Sequence, residues 1–294
     1  MIYKTILFLD GSKTSLKLLN LVNKNKTFNI SLVVISPKMK KYLPKEIKKK
    51  KIFFETNFRN FNKFTFFFKN LKFDIGFSYY DFKIPVSILH KLNIGGINFH
   101  PSYLPYNRGR HSTFWGIYEN TPLGASAHWL TEKFDDGDIF YQEKIKNINY
   151  QSAKILYEKQ IDLLLKVINK TISMISKNIF IKKKQNKKKA TYHNKAQIKK
   201  VTTFNYDHTL KKYEFIRIIQ GTKFNDNGIT VLHDKKKYLI NFNYKFKKVK
   251  KINTHLDINI KEIFKNIGHK KYVNFNFLYK NFIFKIHSKI TKII

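Results

Sequence analysis

Gly96-Ile97-Asn98-Phe99-His100-Pro101-Ser102-Tyr103-Leu104-Pro105-Tyr106-Asn107-Arg108-Gly109 joins an apolar run to a turn. Successive strand residues point to opposite faces, so Asn98 and His100 share one face. Pro101 and Pro105 lack the amide hydrogen that a strand ladder needs, and regular strand is expected to stop there. Two polar side chains at the end of a buried strand are a usual way for open α/β sheets to build a site. The same rhythm recurs upstream. Ile6–Leu9 stops at Asp10-Gly11-Ser12, Leu16, Leu19 and Val22 follow at helical spacing, and Ile30–Ile35 is a second apolar run ending at Ser36-Pro37. This β-α-β order predicts a mainly parallel sheet with crossover helices. Ser12 reads as the N-cap of the first helix. Asp10-Gly11-Ser12 lacks the glycine spacing of a dinucleotide loop, so a capping turn is preferred to a phosphate cradle.

Further elements follow in order. The phenylalanines between Phe53 and Phe68 are expected to include core positions. Asp74–Tyr79 reads as a strand, and Pro85 as the first residue of a short helix through Leu89. Gly95-Gly96 reads as a turn, Phe114–Tyr118 as a helix, and Gly124–Leu130 and Ile139–Ile145 as strands around an acidic, glycine-bearing loop. Ile155, Ile161, Leu164, Leu165, Ile168, Ile172 and Ile175 recur at three- to four-residue spacing, the mark of a long amphipathic helix that Ser152 can cap. The basic stretch that starts at Lys182 reads as a linker. Asp207 opens a helical stretch through Ile219, closed by Gly221, and β-hairpins are expected after Asn227-Gly228.

Composition bounds the function. The 294 residues suffice for one large or two modest domains. Lys plus Arg is 58 against 19 acidic residues, a formal charge of +39. Such a charge favours polyanions. Nearly all of it is lysine, however, accompanied by abundant Phe, Asn and Ile, a pattern expected of compositional drift in an AT-rich genome. With no cysteine, disulfides, thiolate metal sites and a cysteine nucleophile are excluded. No signal peptide is visible and no apolar stretch reaches membrane-span length, so a cytoplasmic chain without membrane insertion is expected.

Three polar groups stand out: Asn98, His100 and Asp135. They sit in Asn-x-His-Pro-Ser-x-Leu-Pro-x-x-Arg-Gly and in the later Phe-Asp-x-Gly-Asp-Ile. Isolated, His100 would read as a structural histidine at a strand end and Asp135 as a loop carboxylate. In order, spacing and flanking residues, the segment from Asn98 to Gln142 resembles the catalytic core of the tetrahydrofolate-dependent formyltransferases. These include enzymes acting on glycinamide ribonucleotide, methionyl-tRNA and nucleotide sugars. The resemblance implies a Rossmann-like α/β domain over residues 1–181; the basic run and the hairpin pattern beyond it are expected to give a basic linker at 182–206 and a small C-terminal domain rich in β structure at 207–294. It also implies that Asn98, His100 and Asp135 are the catalytic trio, that 10-formyltetrahydrofolate is the co-substrate, and that no metal is required. His128 matches a family position and is expected to be supportive.

By the same resemblance the pterin ring lies against main-chain groups of Phe82, Lys83 and Ile84, with Thr131, Glu132, Lys133 and Phe134 as the opposite wall. Lys133 replaces a common glycine of the family and Asp136 a common threonine. The loop carrying Tyr103, Tyr106, Asn107 and Arg108 faces the formyl acceptor, and its wording is most similar to the nucleotide-sugar N-formyltransferases. Arg108 can meet a diphosphate or brace the loop. Tyr103 and Tyr106 can stack on a base or sugar, or pack. The alternatives are methionyl-tRNA formylation, whose Gly-Arg-Gly-Lys-Lys insertion is missing here, and a basic nucleic-acid-binding protein with an inactive formyltransferase core. A homodimer is also implied by resemblance.

Overall fold

The computed structural model describes residues 1–49, 53–55, 69–146, 151–224, 228–234, 236–248, 258–260, 272–279 and 282–293. Apart from the strand Phe53–Glu55, the phenylalanine-rich stretch lies outside them. The chain divides into two compact units. One comprises residues 1–109, 122–146 and 158–192; the other comprises 110–121, 147–157 and 193–294.

The first unit is built on β1 (Tyr3–Leu9), α1 (Lys13–Lys24), β2 (Phe28–Ile35), α2 (Lys45–Lys49), β3 (Phe53–Glu55), β4 (Phe73–Tyr79), α3 (Val86–Leu89) and β5 (Leu92–His100). The strands run in parallel in the order β3-β2-β1-β4-β5. The sheet continues through β7 (Gly124–Trp129) and β8 (Ile139–Lys144), both paired antiparallel; β6 (Arg108–Gly109) precedes them outside this sheet. Residues alternate between two apolar layers, as a sheet covered on both faces requires. Leu7 and Leu9 join Ile75, Phe77, Ile97 and Phe99 on one face, under Leu18, Leu19 and Val22 of α1. Ile6 and Phe8 join Ile88 of α3 on the other. Each fully buried aliphatic side chain contributes about 2 kcal/mol. As the spacing predicts, Ser12 caps α1, its hydroxyl oxygen accepting from the Ser15 amide at 3.2 Å, while the Asp10 carboxylate accepts from the Ser12 amide at 2.8 Å.

The expected turn at Gly95-Gly96 is not there: β5 runs through both residues. Their lack of a side chain serves packing. A Cβ on Gly95 would lie 2.9 Å from the Trp129 ring and one on Gly96 2.6 Å from Leu130, and Gly95 holds a φ of 131°. The long helix runs over Ala153–Ser176 and buries Leu164, Val167, Ile168, Ile172 and Ile175, whereas Ile155 is exposed. Gln160, a polar residue fully buried on this helix, donates to the carbonyl oxygens of Pro101 at 2.6 Å and Gly124 at 3.1 Å. Gln160→Leu removes both donors from buried acceptors and is expected to cost about 2 kcal/mol, read as a lowered urea midpoint with unchanged slope.

Residues 182–206 are more ordered than a linker reading implies. Ile139 and Lys183 exchange backbone hydrogen bonds at 2.8 and 3.0 Å, and a 3-10 turn at Lys187–Lys189 precedes Tyr192–His193, the helix Gln197–Thr202 and the strand Thr203–Asn205. Lysine side chains that face water leave the backbone able to pair.

In the second unit, the helix Ser112–Tyr118 packs on the helix Lys212–Thr222. That second helix starts later than Asp207, because the Glu214 carboxylate accepts from the Lys211 amide at 3.1 Å and fixes the first turn there. Gly221 lies inside it, where a Cβ would approach the Phe114 ring to 2.6 Å. A five-stranded sheet carries the antiparallel hairpin Ile229–His233 with Lys236–Lys248, and the strand Phe282–Ile293 pairs antiparallel with both Lys236–Lys248 and Tyr272–Tyr279. Phe215, Ile216, Ile219, Ile229, Val231 and Ile240 form its core.

Candidate active site

The site lies at the end of β5 and is built by register. Ile97 and Phe99 point into the apolar layer, so Asn98 and His100 point to the other face. On the antiparallel neighbour β7, His128 pairs directly with Asn98 and Ser126 with His100. Residues opposite one another on adjacent strands share a face, so four polar side chains converge. Ser126 is spent on structure: its hydroxyl donates to the Ser102 carbonyl at 2.7 Å and accepts from the Leu104 amide at 3.1 Å, closing the turn after His100.

Asp135 enters from the loop between β7 and β8. Its carboxylate Oδ1 is 3.4 Å from Asn98 Nδ2 and 3.3 Å from His128 Nε2. Its Oδ2 accepts from the Gly109 amide at 2.8 Å and stands 3.6 Å from His100 Nε2. Asp135 is buried, with a left-handed φ of 51°. Burial by itself raises the pKa of its carboxyl. The positive charge of a protonated His100, the His128 contact and the Gly109 amide outweigh that and hold it well below the usual carboxylate range. The group is therefore an anion throughout the neutral range.

The two imidazoles are fixed differently. His128 Nδ1 lies 3.0 Å from the Trp129 carbonyl oxygen and must carry a proton to bond it; in the neutral ring Nε2 then accepts from Asn98 Nδ2 at 3.1 Å. Protonated, the same Nε2 donates to Asp135. His100 Nε2 lies 3.3 Å from the Asn107 carbonyl oxygen, which likewise calls for a proton on that nitrogen. Among the described residues, no group of three or more His, Asp or Glu side chains is arranged to hold a metal ion.

The remaining candidate residues fall into two kinds. Phe82, Lys83, Thr131, Glu132, Lys133 and Phe134 are exposed, and Ile84 is in the core. Phe82 and Phe134 are 38 % and 45 % exposed, and exposed aromatic rings suit a planar ligand. In the 103–109 loop, Tyr103 and Tyr106 keep partial exposure, whereas Asn107 is fully buried at a φ of 57°, its backbone N–H donating to Thr191 Oγ1 at 2.8 Å. The Arg108 guanidinium pairs with Asp136 and donates to Gln185 Oε1 at 2.8 and 3.2 Å. Gln185 escaped sequence reasoning altogether; its only signal is a pair of uncharged amides, Gln185 and Asn186, inside a lysine run.

Residues 77–172 match the family model described as Formyl transferase. A methionyl-tRNA formyltransferase of Buchnera aphidicola subsp. Schizaphis graminum is 34% identical over 117 residues, 40% of this chain and 37% of that protein. A GDP-perosamine N-formyltransferase of Brucella melitensis biotype 1 is 38% identical over 79 residues, 26% of this chain and 30% of that protein. The chain thus aligns with less than half the length of these curated relatives. The fold is shared with an N-formyltransferase from Helicobacter canadensis, solved in complex with folinic acid and dTDP-3-aminofucose, at a TM-score of 0.61 and 18% identity over 99% of this chain and 100% of that one. Residues 77–172, the stretch that carries Asn98, His100, His128 and Asp135, are thus the part of the chain that is similar to the formyl transferase family.

Proposed function

We propose that the chain transfers the formyl group of 10-formyltetrahydrofolate to the amine of a nucleotide-linked amino sugar. The observation that carries this reading is the convergence of Asn98, His100, His128 and Asp135 at one strand end, inside the segment matching the family. The reaction joins a neutral amine to a formyl carbon through a tetrahedral oxyanion. Asn98 has two amide hydrogens. One is held by His128 at 3.1 Å; the other meets Asp135 at 3.4 Å, the long end of a hydrogen bond, and is the one to turn toward the developing oxyanion. Such a donor is worth about 3 kcal/mol in the transition state. His100, donating from Nε2, takes the amine's proton on Nδ1, and the nearby Asp135 carboxylate stabilises the cation that results; the intermediate then collapses with cleavage of the bond between the formyl carbon and N10 of the donor, and the proton passes to N10 of the departing tetrahydrofolate.

Exposed Phe82 and Phe134 suit the pterin, and the partial exposure of Tyr103 and Tyr106 supports a role in contacting the acceptor. Arg108 is already engaged by Asp136 and Gln185, which favours a bracing role over a diphosphate contact. The sugar reading is supported by the wording of residues 103–109 and by the Brucella relative, as well as by the fold shared with the Helicobacter protein. A methionyl-tRNA acceptor is favoured by the Buchnera relative and by exposed Lys245, Lys285 and Lys289 on the C-terminal sheet.

A panel of dTDP-, UDP- and GDP-linked amino sugars, methionyl-tRNA and glycinamide ribonucleotide, each with 10-formyltetrahydrofolate, decides between them. Turnover of a sugar nucleotide, lost in a folded His100→Ala variant, is the expected result. Turnover confined to methionyl-tRNA refutes the sugar acceptor. A folded chain that turns over nothing yet binds RNA points to the inactive-core alternative.

A further inference from the structure

Gln185 follows three lysines, and both ends of its amide are committed. Nε2 donates to the carbonyl oxygens of Asp135 at 2.9 Å and Gly137 at 2.6 Å. Oε1 accepts from Arg108 Nη2 at 2.8 Å and Nε at 3.2 Å. Arg108 in turn pairs with Asp136, the residue between those two carbonyls. The next residue along, Gly109, gives its amide to the Asp135 carboxylate at 2.8 Å. One side chain therefore ties the Asp135 loop to the segment that follows the His100 turn, and does so from a third place in the chain.

We propose that Gln185 is a positioning residue whose amide fixes the Asp135 loop to Arg108 and thereby sets the Asp135 carboxylate between His100 and His128. A φ of 51° is uncommon for a residue with a Cβ, though Asp tolerates it better than most. The two carbonyl contacts from Gln185, at Asp135 itself and at Gly137 two residues on, hold the turn in which it occurs. The role calls for glutamine. Glutamate can accept from Arg108 but offers no hydrogen to the carbonyls and brings a charge toward their oxygens. Methionine has similar length and does neither. Asparagine is one methylene too short to span both sides. The carboxylate stands 3.6 Å from His100 and 3.3 Å from His128, so a drift of an ångström alters both contacts together.

The kinetic half of the test rests on the formyl-transfer reading; the spectroscopic half does not. Nitrogen-15 spectra of the imidazole rings in the ligand-free protein are compared among the wild type, Gln185→Met, Gln185→Glu and Lys184→Met. The His100 and His128 ring signals are expected to move in both Gln185 variants and to stay in Lys184→Met. With the acceptor that the wild type uses, kcat is expected to fall about 10- to 100-fold while KM for donor and acceptor stays within about threefold. Gln185→Glu keeps the Arg108 contact and is expected to match Gln185→Met; a Glu variant like the wild type overturns the proposal. So do unmoved ring signals in either folded variant, or a kcat loss that follows the unfolded fraction. If Gln185→Met does not fold, Gln185→Glu and Gln185→Asn carry the test. Should the wild type transfer formyl to no acceptor, the reaction reading fails and the ring signals alone decide the role of Gln185.

Discussion

Asp135→Asn is expected to lower kcat for formyl transfer by about a thousandfold with KM nearly unchanged. The substitution is isosteric, so the Gly109 amide keeps an oxygen to donate to. What disappears is the negative charge between the two imidazoles. In the wild type that charge is held through the neutral range, because His100, His128 and Gly109 together outweigh the effect of burial. Without it, a His100 that has taken the amine's proton is a buried cation with no counter-charge. Exchanging an imidazole's carboxylate partner for an amide costs about 10⁴ in kcat where it has been measured in a catalytic triad. Single-turnover formylation across pH 6 to 9 checks the prediction. A loss confined to KM would place Asp135 in substrate binding.

The same carboxylate links stability to pH, and the direction follows from its depressed pKa. The unfolded chain binds a proton at Asp135 near the ordinary value of about 3.9, whereas the folded chain resists that proton to lower pH. Its contribution to stability is thus complete above the unfolded pKa and is lost as pH falls toward the folded one. Asp135→Asn lacks this component, so its urea midpoint should fall less steeply than that of the wild type below about pH 4.

Much of this was legible in the sequence where a local rule and the tertiary environment agree. The apolar run of β1, the Ser12 cap and the shared face of Asn98 and His100 need only strand alternation and capping chemistry. His128 is different. Its partner Asn98 lies 30 residues away, and only the antiparallel register of β5 with β7 puts them side by side. Gly95 and Gly96 look like a turn because local statistics assign glycine pairs to turns, yet here they make room for Trp129 and Leu130, a reason that resides in another strand. Gln185 was least legible. Its partners are carbonyl oxygens at 135 and 137 and the side chain of Arg108, and nothing in a run of lysines marks the amide that reaches them. Contacts to backbone atoms leave little trace in the identity of the residue contacted.

Gly137→Ala should damage the fold and the site together, costing about 3 kcal/mol of stability and about a hundredfold in kcat. A Cβ at Gly137 would stand 1.8 Å from the carbonyl oxygen of Trp129 and 2.8 Å from its carbonyl carbon. A backbone group cannot rotate away as a side-chain tip can. Trp129 is also pinned on several sides: its amide donates to the Asp138 carbonyl at 2.9 Å and its indole nitrogen to the Ile181 carbonyl at 2.7 Å, while the next amide, Leu130, donates to Gly96 at 2.7 Å. The edge that can yield is the loop itself. Overpacking of this kind usually costs about 1–3 kcal/mol, and the upper end applies when the obstacle is backbone. The loop can retreat only by lengthening the Gln185 bond to Gly137, now 2.6 Å, and by moving Asp135 two residues upstream. A misplacement of about 1 Å at a reacting group can cost about 10²-fold. Thermal melting and single-turnover rates measured well below the melting temperature separate the two effects. A variant that is destabilised but fully active when folded would show that Asp135 keeps its position independently of Gly137. The link from Gln185 through this loop to the carboxylate would then be refuted at its middle step.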